Sequence, residues 1–220
     1  MKKFEFRSLG LVLFALLLSA CAAPQKGKDP SAQNQVEIAP RTWVSMPQPQ
    51  DLGYTLNTSQ LISATYHDEQ NQTQQNQLPI QLQVTPNKIV LAGFSSWGTR
   101  LLSLTYQNSQ IDTDVMMGLA NSLPKPEQVL FNLMITLWPI DVWQDRLAPV
   151  GWKLTEQSVS GLATANAIPV VKQRKLFSET GELVAEMNFT ANEALKGDIE
   201  FINHPLDFSI EIKTLQYSTK

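Results

Sequence analysis

The sequence predicts a mainly β fold, a curled antiparallel sheet that cups two or three helices. Three observations lead there. Apolar and polar residues alternate with period two from Leu78 to Thr85 and again from Leu206 to Lys213. Segments of this kind follow one another closely with turn residues between them, as in a meander. Near the middle the period becomes helical, and that helix has almost no polar side.

The chain opens with Lys2, Lys3 and Arg7, followed by the apolar run LGLVLFALLL from Leu9 to Leu18 and then Ser19, Ala20 and Cys21. Charge, length and small residues in this order mark residues 1–20 as a signal peptide. A spanning helix needs roughly 20 apolar residues, more than this run supplies. Residues Leu18-Ser19-Ala20-Cys21 resemble the bacterial lipobox. That resemblance implies cleavage before Cys21 and acylation of its sulfur and new amine with chains such as palmitate. Two or more acyl chains hold a protein on a membrane stably, whereas one does so only marginally. Ala22 stands where an Asp would resemble an inner-membrane retention signal, so the resemblance implies outer-membrane anchoring, with the body facing the periplasm. Cys21 is the only cysteine, which excludes an internal disulfide and a cysteine-based metal cluster.

Residues 21–40, with Pro24, Pro30 and Pro40 among polar neighbours, read as the lipidated N-terminus and a flexible tether. Residues 41–220 read as a single β-rich domain, with Trp43, Val44 and Met46 the first apolar residues placed to dock on it. The whole chain of 220 residues carries 17 basic and 20 acidic side chains. Removing residues 1–20 leaves 14 basic and 19 acidic. No long basic patch exists, which argues against nucleic acid as a partner.

Strands are expected at 56–67, 78–85, 88–94, 99–106 and 110–116. Pro79 is expected at an edge or a strand start because it cannot donate to a ladder. Pro124-Lys125-Pro126-Glu127 then suits a first helical turn. In the following VLFNLMITLW, the residues Gln128, Asn132 and Thr136 form one narrow stripe at i, i+4, i+8, and apolar side chains cover the rest. Such a helix must be covered over most of its circumference, inside a concave sheet or against a ligand or membrane. Pro139 ends it, and Ile140, Trp143 and Leu147 suggest a second short helix. Further strands are expected at 151–156, 170–177, 183–189, 196–202 and 206–213, for nine or ten in all.

No catalytic constellation stands out, and the expectation is a protein that is not an enzyme, with no cofactor and no metal. His67 and His204 lack zinc-ligand spacing. Gly93-Phe94-Ser95-Ser96-Trp97 is not a nucleophile elbow. Asp112 and Asp114 share a strand face that reads more simply as the wet one. The surplus is apolar. Phe94 and Trp97 lie in a connection bounded by glycines and are read as core or cavity mouth rather than a membrane-inserting tip. Leu130, Leu133, Met134, Leu137, Trp138 and Trp143 are the candidates for lining or gating a cavity, with plain core packing as the competing reading.

The Gly93-Phe94-Ser95-Ser96-Trp97-Gly98 connection into LLSLTY, the LWPIDVW segment, the Arg174-Lys175-Leu176-Phe177 strand and the terminal HPLDFSIEIKTL resemble an uncharacterised family of bacterial lipoproteins. Its members are often encoded with aryl-polyene or related fatty-acid-like biosynthesis enzymes. That family in turn looks like the lipoprotein receptor LolB and its carrier LolA. The resemblance implies an unclosed antiparallel half-barrel, with helices as a lid over an apolar cavity for acyl chains. Implied partners are a lipid or acylated cargo and a periplasmic carrier or envelope protein. Because the likeness is architectural, it transfers no functional residue. Two other classes stay open: a non-catalytic scaffold lipoprotein and, least supported, an enzyme on acyl substrates.

Overall fold

The computed structural model describes residues 35–67, 70–117, 125–159 and 169–220. The signal segment, Cys21 and most of the tether lie outside the described residues. Residues 34–220 form one compact unit. No helix among the described residues is long and apolar enough to cross a membrane.

The chain begins with a hairpin of β1 (Gln35–Ala39) and β2 (Thr42–Ser45). A meander follows, of β3 (Leu56–His67), β4 (Thr73–Thr85), β5 (Lys88–Phe94), β6 (Arg100–Gln107) and β7 (Gln110–Val115). Two helices, α1 (Pro126–Leu137) and α2 (Ile140–Leu147), separate it from a second meander. This comprises β8 (Lys153–Ser158), β9 (Lys172–Phe177), β10 (Leu183–Phe189), β11 (Ile199–Asn203) and β12 (Phe208–Thr219). β12 returns to pair with β3, so the two meanders join into one ten-stranded antiparallel sheet. Its order is β7-β6-β5-β4-β3-β12-β11-β10-β9-β8. The sheet is not closed: β7 and β8 are its two edges, and the helices carry the chain from one to the other.

Register divides this half-barrel into two faces. Ile62 sits opposite Leu78 and Ile212, Leu82 opposite Leu91, and Phe201 opposite Met187 and Ile210. These positions belong to or pack on one hydrophobic core that also takes in α1, α2 and the β1–β2 hairpin. The other face carries Gln77, Gln81, Gln83, Ser59 and Glu211 across the same strands. An antiparallel sheet with one packed and one wet face reads as alternation in sequence, which is why the strands were visible there.

Four expectations shift. The described residues hold twelve strands, because the N-terminal hairpin lies partly in the segment read as tether. Val36, Val44 and Met46 bury their side chains in the core, so the folded body reaches back at least to Gln35. β4 starts at Thr73, five residues before Leu78. Residues Thr73–Gln77 pair with His67–Ser63, but they are all polar and so show no period. Pro79 lies mid-strand opposite Leu61. It is tolerated because the β4–β5 ladder begins only at the next residue, where Ile80 meets Gly93. β8 starts at Lys153 and runs to Ser158.

Helix α1 ends where the sequence places its end. Trp138 adopts an extended conformation (φ −69°, ψ 151°), as the residue before Pro139 must when proline excludes the helical region. Its N–H still closes the last turn onto the Met134 carbonyl at 2.9 Å.

Candidate functional site

The helix-filled interior is the part of the molecule that the sequence marks as unusual. In α1, Leu130, Met134 and Ile135 have no exposed surface, and neither do Trp138 just beyond it and Trp143 on α2. Protein therefore surrounds each of them on every side. Leu133 and Leu137 are half-buried and pack on the same core. Phe131 meets the Trp143 ring edge-on at 5.5 Å. In this state the space inside the half-barrel is occupied by α1 itself. Two recesses of about 370 and 410 Å3 lie on the outer face, lined largely by Ser, Thr, Gln, Asn and acidic side chains.

Two side chains of the polar stripe of α1 bond within the protein. Gln128 donates to the Glu37 carbonyl of β1 at 3.2 Å, and the Thr136 hydroxyl donates back to the Asn132 carbonyl at 2.7 Å. The two buried indoles are tied as well. Trp138 Nε1 donates to the Gln48 carbonyl at 3.1 Å and Trp143 Nε1 to the Met134 carbonyl at 3.3 Å. A short 3-10 turn at Pro49–Leu52 holds the Gln48 segment, and Arg146 of α2 reaches its Asp51 at 3.1 Å.

The C-terminal end of α1 rests on a clasp that sequence reasoning missed. Arg174 on β9, only 5% exposed, points inward. Its Nη1 donates to the carbonyls of Ile135, Thr136 and Trp138 at 3.1, 3.0 and 2.7 Å. These are the carbonyls that a helix leaves without intrahelical partners, at the end where the helix dipole is negative. The Arg174 Nε bonds to Glu156 of β8, which register places directly opposite. Lys172, two residues earlier on the same face, lies 3.8 Å from Glu156 and 4.5 Å above the Phe189 ring. Burial holds the Lys172 ammonium below its ordinary lysine value; Glu156 pulls the other way and Arg174 adds to the lowering. Across the interior, burial pushes the Tyr106 hydroxyl up to about 12. The signal for the clasp was present but ambiguous. In Lys172-Gln173-Arg174-Lys175 both faces of the strand carry charge, so alternation could not say which looks inward.

Phe94 and Trp97 part company. Phe94 is half-buried at the end of β5, while Trp97 is 92% exposed at the tip of the β5–β6 turn. Trp97 thus does not belong to the core. The turn is well tied: Ser95 N–H donates to the Thr99 carbonyl at 2.8 Å and Gly98 N–H to the Ser95 carbonyl at 2.9 Å. Gly98 has φ +80°, which glycine adopts without strain. With both ends fixed in strands, the tip residue points outward. Met117, 97% exposed just past β7, lies at the same end of the sheet, since Val115 pairs with Leu102. Asp112 and Asp114 are exposed on the edge strand β7, where charge discourages pairing with other strands. No group of three or more potential metal ligands occurs among the described residues.

Among solved structures, the chain is similar to a domain from Vibrio parahaemolyticus proposed to be an outer membrane lipoprotein-sorting protein. Identity is 12%, coverage 77% of this chain and 86% of that one, and the TM-score 0.35. A DUF1329 family protein from Desulfovibrio piger is similar at 8% identity over 74% of this chain and 84% of that one, with a TM-score of 0.33. None of the curated proteins matches. Residues 57–216, nearly all of the ten-stranded sheet and both helices, match the family described as "Protein of unknown function (DUF3261)", and the chain belongs to that family.

Proposed function

We propose that this protein is an outer-membrane-anchored lipoprotein that binds, and passes on, a lipid, an acyl- or polyene-bearing molecule or a lipoprotein through the concave face of its half-barrel. One observation carries the reading. An apolar helix lies buried inside a sheet that is open along one side, and its C-terminal end is held by a few polar bonds to Arg174. Leu82, Leu104, Met187 and Phe201 of the sheet share one core with α1, so an outward movement of the helix would open an apolar space. An acyl chain entering that space gains about 0.8 kcal/mol per buried methylene without any catalytic group, which offsets part of the cost of moving the helix. Acylation at Cys21 would keep the body beside a source and a sink for such chains.

The test is purification of the full chain from detergent-solubilised membranes, followed by mass spectrometry of what travels with it. A defined acyl-bearing species at a fixed ratio to protein is the expected result. Protein free of lipid, carrying instead a stoichiometric protein partner, would replace this reading with that of a scaffold. The complete burial of Leu130, Met134, Trp138 and Trp143 is the observation that favours the scaffold.

A further inference from the structure

The inner wall is not uniformly apolar, and a charged corner at β8 and β9 bears on the nature of the guest. On the inner face of β8, β9 and β10, Lys172 and Arg174 share a single carboxylate, Glu156. The remaining negative character is supplied by α1, whose three end carbonyls sit on Arg174. The bonds of Arg174 Nη1 run to those carbonyls, so moving α1 away takes its acceptors with it. A buried cation deprived of its acceptors is strongly unfavourable. Plain hydrocarbon can replace the apolar side of α1, but it cannot replace those carbonyls.

Building on the acyl-binding reading above, we infer that the guest is an acyl chain ending in a compact oxyanion, a carboxylate or a phosphate, and that this head takes the place of the α1 carbonyls on Arg174 with Lys172 beside it. α1 is then a built-in stand-in for the ligand, an apolar rod with a partly negative end. Burial lowers the proton affinity of Lys172, Glu156 pulls the other way and Arg174 adds to the lowering. An oxyanion accepts charge-assisted hydrogen bonds from Arg174, and these are stronger than the bonds of neutral carbonyls. A neutral or cationic head of the same chain length has nothing to offer there.

The experiment uses the full chain in membrane vesicles and three photoactivatable probes of one chain length: a fatty acid, an alkyl phosphate and a fatty alcohol. Labelling of inner-wall residues is mapped by mass spectrometry and normalised to the probe present in the vesicles. The inference predicts that at least one anion labels the inner wall about tenfold more than the alcohol. The stronger anion identifies the head. In Lys172→Gln, which leaves the Arg174–Glu156 pair intact, that preference should shrink severalfold. Equal labelling by anions and alcohol overturns the inference and leaves acyl binding standing, as does an anion preference untouched by Lys172→Gln. Absence of inner-wall labelling by all three probes overturns acyl binding and this inference together.

Discussion

Trp138 and Trp97 both stand beside a chain reversal, yet Trp138 is fully buried and Trp97 is 92% exposed. The difference lies in what the backbone does around them. Trp138 joins two helices, and its ring is drawn under the Gln48 segment by a hydrogen bond across 90 residues of sequence. Trp97 tops a turn whose two ends are pinned in neighbouring strands, and the described residues leave it exposed. Apolar character alone therefore does not locate a residue in this fold. The position of its backbone relative to the open side of the sheet does.

Perturbing the two regions should separate them sharply. Trp138→Ala removes a fully packed ring and should destabilise the fold by about 3–5 kcal/mol in denaturant titrations. A loss under about 1 kcal/mol would mean that the interior is loosely filled. Arg174→Met should cost about 2–4 kcal/mol, somewhat less than a fully buried pair because Glu156 keeps contact with water. Glu156→Gln should cost less in the Arg174→Met background than in the parent chain, because its Arg174 partner is already gone, and an equal cost in both would exclude Glu156 from the clasp.

The interior should also respond to alkali. Tyr106 keeps its proton up to about 12 when folded, while the unfolded chain releases it near the ordinary value of about 10. Below about pH 10 both states are protonated and the group has no effect on stability. As pH rises toward 12 the unfolded state is favoured, and about 2–3 kcal/mol of stability should be lost. Lys172 works in the opposite sense. Its folded value is depressed, so stability rises with pH from that value up to the ordinary one of lysine. Comparing unfolding of the parent chain and Tyr106→Phe between pH 9 and 12 isolates the tyrosine part, and identical profiles would contradict its burial. At the exposed end, Trp97→Ser should change stability by no more than about 0.5 kcal/mol. A larger loss would place the indole against protein.

Much of this contrast was legible beforehand, and the physical reason is periodicity. The narrow stripe Gln128, Asn132 and Thr136 required α1 to be enclosed, and the alternation in β12 and β4 required a sheet with one dry face. Proline punctuation located the end of α1. What escaped was long-range. The polar start of β4 is specified by its partner β3 rather than by its own pattern. The β1–β2 hairpin packs on the core through Val36, Ile38, Ala39 and Val44, in strands of only five and four residues, too short a run to show a period. The clasp required knowing that Arg174 and Glu156 face each other on the inner side, which depends on register across β8 and β9. That Trp97 is not a core residue escaped as well, because exposure of a turn tip follows from how its strands pair, and the residue type argues the other way.

The central claim is that α1 occupies a space that an acyl guest can take. Hydrogen exchange at the amides of Leu130 to Leu137, measured on the full chain in vesicles with and without saturating fatty acid, tests it directly. The account predicts protection comparable to that of β3 and β12 without the fatty acid, and exchange faster by at least about tenfold with it, while those strands stay unchanged. Protection of α1 that is identical in both conditions, with the fatty acid bound, would contradict the account.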